Sequence, residues 1–99
     1  MALSITKWDV AEHLDNDERI ALFLEAIFED GTPSEIAEAL GVVARARGMT
    51  QLAAQTGLSR PALYKALSGD GNPGLDTIMK VLAALGMRLA VAPLPDKAA

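Results

Sequence analysis

The chain of 99 residues contains no cysteine, so it forms no disulfide and offers no thiolate to a metal. Its single histidine, His13, rules out a conventional zinc site, and no metal or cofactor is expected. A reducing compartment suits such a chain, and the cytoplasm is the expected location. No apolar run approaches the roughly 20 residues that a membrane span requires. The N-terminal "MALSITKW" also lacks the apolar centre of a signal peptide. There is no internal repeat, and no linker is long enough to divide the chain.

What the chain does have is an apolar fraction of 51%, enough for one small domain with a real core. Its net charge of −4 hides an asymmetry. Residues 1–40 carry two bases against ten acids, a net of −8, whereas residues 41–99 carry seven bases against three acids, a net of +4. One chain therefore has two electrostatic halves.

Asp9, with Glu12 three residues on, makes a capping-box pattern for a short helix ending near Leu14. Asp15 and Glu18 repeat the pattern before "ERIALFLEAIFEDG", where Ile20, Phe23, Leu24, Ile27 and Phe28 fall at the spacing of one helix face. The core accounts for that spacing better than a binding stripe does. Gly31 stops this helix. Thr32, Pro33 and Glu35 then supply a cap, a first helical residue and a closing box for a helix with Ile36, Leu40 and Val43 inside. It runs to Arg45 and Arg47, which complement the helix dipole, and ends at Gly48.

The next stretch is "TQLAAQTGLSRPALYKAL", residues 50–67. Thr50 is expected to cap a first helix and Gly57 to break it. Ser59 caps a second helix running to about Ser68, with Pro61 in its first turn and Leu58 stapled to Leu63. Ala53 lies four residues before Gly57, and Leu63 six after it. A small residue lets two helices approach, a glycine takes the turn, and an apolar residue pins the second helix; together they are the pattern of a helix-turn-helix.

"GDGNPG" then reverses the chain. Asp76 is expected to cap a helix with Ile78, Val81, Leu82 and Leu85 inward, ending at Gly86. "MRLAVAP" sets Met87, Leu89 and Val91 against Arg88, Ala90 and Ala92, an alternation that predicts a short strand.

No acid lies between Met49 and Gly69. In a helix-turn-helix the start of the second helix meets base edges in the major groove, and the first helix crosses the backbone. Arg60 can donate two bonds to a guanine edge, Lys65 can reach a guanine or a phosphate, and Ala62 can touch a thymine methyl. Ser59 belongs to the same base-reading set, although its first duty is the cap. Gln51, Thr50 and Tyr64 are the candidate phosphate contacts.

These residues carry a resemblance. The stretch "ALGVVARARGMTQLAAQTGLSRPALYKALSGDGNPGLDTIMKVLAALGMRL", with "LFLEAIFEDG" upstream, resembles the antidote (antitoxin) subfamily of Xre-type, HigA-like helix-turn-helix proteins of bacterial addiction modules. It covers residues 9 to about 92. The pattern departs at Gly74, where the subfamily has a basic or polar residue, so no phosphate contact is expected there. The resemblance implies an Xre core, a homodimer on double-stranded operator DNA that is palindromic, autorepression, and neutralisation of a co-encoded toxin similar to RelE-type ribonucleases. A basic toxin would suit the acidic N-terminal half.

The expected architecture is all-α, five to six helices of an Xre or lambda-repressor-like domain with a short C-terminal strand. One domain spans 1–92: acidic helices 9–47, helix-turn-helix 50–68, closing helix 76–85 and strand 87–92. Residues 93–99 form a flexible tail. Phe23, Glu25, Glu29 and Asp30, together with Met87, Leu89 and Val91, are the candidate toxin or dimer surfaces.

Two other readings compete: a stand-alone repressor, and a protein-interaction module that keeps the helix-turn-helix shape without binding DNA. Catalysis is not expected. Glu35 and Glu38 sit one turn apart on a solvated face, and His13 near Asp9 and Ser59 near Tyr64 complete no catalytic set. "GDGNPG" has no following lysine and serine in P-loop order. Neither a small-molecule substrate nor a membrane is an expected partner.

Overall fold

The computed structural model describes residues 16–95. Among them the chain forms five helices and no strand: α1 (Asp17–Asp30), α2 (Pro33–Arg47), α3 (Met49–Thr56), α4 (Arg60–Ala66) and α5 (Leu75–Ala84). The short helix expected over residues 9–14 lies outside the described residues.

α1 begins one residue later than the spacing predicts. Its cap is Asn16 rather than Asp15, with Asn16 Oδ1 accepting the Arg19 N–H at 2.8 Å. Either side chain could serve as a cap. Ile20 and Leu24 are buried, while Phe23, Ile27 and Phe28 are half-buried against the same core. Gly31 closes α1 through its N–H to the Ile27 carbonyl, at 2.6 Å.

α2 starts as expected, with both halves of the capping box formed. Thr32 Oγ1 accepts the Glu35 N–H at 3.2 Å, and Glu35 Oε1 accepts the Thr32 N–H at 2.8 Å. Every residue from Ala39 to Ala44 is buried, so α2 is the central helix. Gly48, at φ 111°, ends it in a conformation that side chains resist.

Gly48 is also the N-cap of α3, which starts at Met49 without a side-chain cap, so Thr50 is not the cap the sequence suggested. Met49 is buried and takes the first helical position, leaving Thr50 exposed in the first turn. Gly57, at φ 78°, adopts the left-handed turn expected of it. Thr56 Oγ1 braces the turn by donating to the Leu52 carbonyl at 2.7 Å and accepting the Leu58 N–H at 3.2 Å.

α4 is a residue or two shorter than expected, ending at Ala66. α5 starts after Gly74, so Asp76 is a first-turn acid rather than the cap. It pairs with Lys80 at 3.1 Å. Gly86, at φ 79°, closes α5, and the Met87 N–H reaches back to the Leu82 carbonyl at 2.7 Å, the pattern of a Schellman end.

The expected strand over 87–92 does not form. Residues 87–94 carry no ladder hydrogen bonds, and Val91 is fully exposed. Alternating apolar residues make a strand only where a neighbour pairs with them, and none of the described residues does so.

α1 packs on α2, α2 on α3, and α3 on both α4 and α5. Ile20, Leu40, Val43, Leu52, Leu63, Leu67, Val81 and Leu85 fill the centre, and no polar side chain is buried among the described residues. None of the described helices is long and apolar enough to cross a membrane.

Candidate nucleic-acid interface

α3 and α4 are joined by three residues, Gly57 to Ser59. Ser59 Oγ accepts the Ala62 N–H at 3.1 Å, which satisfies one of the free donors at the start of α4. Leu63 and Leu67 are buried and Ala66 half-buried, so α4 is held by that side. Its other side is open: Arg60, Pro61, Ala62, Tyr64 and Lys65 are all exposed.

The exposed residues follow from the helical period. Arg60 and Tyr64 are four apart, as are Pro61 and Lys65, so two cations and a phenol occupy adjacent rows. Neither cation has an ion-pair partner among the described residues. Ser59 keeps its hydroxyl proton available while its oxygen serves the cap.

On α3, Thr50 and Gln51 are exposed at the start of the helix. Gln55 is exposed one turn further on, and Ala54 beside it. Sequence reasoning missed Gln55. The signal was available in its four-residue spacing from Gln51, which places both amides on one helix face.

Two contacts with α2 position the far end of α4, and neither was visible in the sequence. The Ser34 hydroxyl donates to the Gly69 carbonyl across 35 residues of chain. The backbone of Gly41 lies against the Leu67 carbonyl, in space that a Cβ would fill.

The second set of candidate residues is dispersed. Glu25, Glu29 and Asp30 are exposed along α1, whereas Phe23 is half-buried on the core. Met87 is half-buried against the core, and Leu89 and Val91 are exposed beyond it. Arg47, expected to serve the helix dipole, also forms an ion pair with Asp17 at the start of α1.

Residues 4–93 match the family described as "Probable addiction module antidote protein". The chain belongs to this antidote family. A similar protein, an uncharacterized one from Haemophilus influenzae (strain ATCC 51907 / DSM 11121 / KW20 / Rd), is 47% identical over 91 residues, covering 92% of this chain and 94% of the relative. No solved structure matches. Membership of this family supports an antitoxin function and implies a toxin as partner.

Proposed function

We propose that this antidote is a sequence-specific DNA-binding repressor of its own operon that also neutralises a co-encoded toxin. In this reading α3 and α4 are an Xre-type helix-turn-helix. α4 lies in the major groove with Arg60 and Lys65 on base edges, Ala62 on a thymine methyl, and Ser59 at the groove edge. Thr50, Gln51 and Tyr64 hold phosphates. The protein acts as a homodimer on a palindromic operator, and its toxin is a RelE-like ribonuclease.

One observation carries the DNA reading. The exposed side of α4 presents Arg60 and Lys65 with no acid from Met49 to Gly69, on a helix fixed from behind by buried Leu63 and Leu67. The acidic total does not oppose it, because the excess acid belongs to residues 1–40. That half, with Glu25, Glu29 and Asp30 exposed on α1, suits a basic toxin instead.

The test is binding of the full chain to the DNA upstream of its own gene at several salt concentrations. Affinity should fall steeply as salt rises, because each neutralised phosphate releases condensed counterions. A flat salt response, or no binding near physiological salt, leaves a protein-interaction module with a helix-turn-helix shape. Co-expression with the adjacent gene tests the second half: its product should be toxic alone and harmless with the antidote present.

A further inference from the structure

α1 is more apolar than its packing requires. From Ile20 to Phe28 eight of nine residues are apolar, yet only Ile20 and Leu24 are buried. Ala21, Phe23, Ile27 and Phe28 are half-buried, and Leu22 and Ala26 are exposed, Leu22 at 62%. A helix apolar on every side is ordinarily covered on every side. Leu22 is two residues from each of the two buried ones, slightly more than half a helical turn, so it points directly away from the core.

A lone exposed leucine on a soluble surface needs no explanation, but this one sits inside a charged frame. Glu18, Leu22, Glu25 and Glu29 follow one another at spacings of four, three and four, a single row along the outer face of α1. All three glutamates are exposed, and none has an ion-pair partner among the described residues.

We propose that this outer face of α1 is where the toxin docks, with Leu22 and Ala26 as the apolar anchor and Glu18, Glu25 and Glu29 as its acidic rim. The occupant is a protein surface with an apolar pocket ringed by lysine or arginine. The proposal deepens the toxin half of the function proposed above and rests on that reading. Charge selects the occupant. α1 carries five acids, Asp17, Glu18, Glu25, Glu29 and Asp30, against one base, Arg19. Like charges facing each other oppose association, so neither DNA nor α1 of a second copy suits this face. A basic protein gains twice: its cations meet the exposed glutamates, and its pocket removes Leu22 from water. An apolar centre inside a polar rim is also the arrangement that concentrates binding energy. This surface and the proposed DNA surface lie on different helices, α1 packing on α2 and α4 on α3.

The experiment is a calorimetric titration of the purified full chain with the purified product of the adjacent gene. Wild type should bind, and Leu22→Arg should bind at least about 30-fold more weakly, the scale of an anchor residue. Glu25→Lys with Glu29→Lys should also weaken binding, and the salt dependence of the association rate, steep for wild type, should flatten. Leu22→Arg should leave the unfolding midpoint and the sedimentation mass of the free chain unchanged, because Leu22 lies outside the core. A lower midpoint overturns the proposal, since residues of the same chain would then cover the face; a changed mass overturns it in favour of a second copy. Full affinity in the double glutamate variant overturns the acidic rim. A wild type that ignores the adjacent gene's product sinks the toxin reading and this inference with it, whereas a product bound equally well by Leu22→Arg sinks this inference alone.

Discussion

Gly41, in the middle of the central helix, sits directly against the carbonyl oxygen of Leu67, where α4 ends. The neighbour is backbone and cannot swing aside, so Gly41→Ala sets two effects against each other. Alanine gains up to about 1 kcal/mol in helix propensity over glycine. Overpacking a tight interior costs about 1 to 3 kcal/mol and shifts the backbone. The steric effect wins, and denaturant unfolding should show net destabilisation. The variant should also lose operator affinity beyond its unfolded fraction, because the shift falls on the end of α4. Stability equal to or above wild type would show that α2 and α4 do not meet as closely as described.

Ser59→Ala removes the only side-chain cap of α4. The expected loss is about 1 kcal/mol in denaturant unfolding, in the usual range for a serine cap. Thr32→Ala breaks the capping box of α2 and should cost a similar amount. The two differ on DNA. Ser59→Ala frays the start of the proposed reading helix and should weaken operator binding directly, whereas Thr32→Ala reaches α4 only through the Ser34–Gly69 bond at its far end and should weaken binding less.

The ion pair of Asp17 with Arg47 ties the first residue of α1 to the last of α2, with both side chains well exposed. Exposed pairs contribute about 0.2 to 1 kcal/mol. A double-mutant cycle with Asp17→Asn and Arg47→Gln should give a coupling in that range at low salt, shrinking as salt is added. A coupling that resists high salt would mean the pair is more enclosed than its exposure indicates.

The helices were legible where local chemistry alone decides them. Thr32, Pro33 and Glu35 specify the start of α2 without help from the rest of the fold, and Gly57 and Ser59 likewise define the turn before α4. Starts were misplaced where another residue takes the cap: Asn16 rather than Asp15, and Gly48 and Gly74 upstream of Thr50 and Asp76. Burial of Met49 draws the start of α3 back by one residue, which is a tertiary effect that spacing does not carry. The strand was misread because period two records only which side each residue faces; a ladder needs a second strand, and that is not a property of seven residues. For the candidate interface, exposure of Arg60, Ala62, Tyr64 and Lys65 followed from the helical period. The packing of Gly41 and Ser34 against the far end of α4 did not, because it joins residues more than twenty positions apart.

The DNA reading is most sharply tested by comparing Arg60→Ala with Lys65→Ala and Gln51→Ala. Arg60 is the first residue of α4, where a major-groove helix meets base edges, and its guanidinium can make two parallel bonds to a guanine. Its loss should cost about 1 to 3 kcal/mol and relax discrimination at one base pair in each half-site. In the proposed reading Gln51, at the exposed start of α3, holds a phosphate, so Gln51→Ala should weaken all sequences alike. Lys65 lies five residues beyond Arg60, in the adjacent row, and separates two cases. If it holds a phosphate, Lys65→Ala lowers affinity evenly and reduces the salt slope by about 1. If it reads a base, the slope changes less and discrimination falls. Titrating each variant against the operator and single-base-pair variants of it, at two salt concentrations, resolves these outcomes. Unchanged affinity and discrimination in Arg60→Ala would place the reading face elsewhere than on α4.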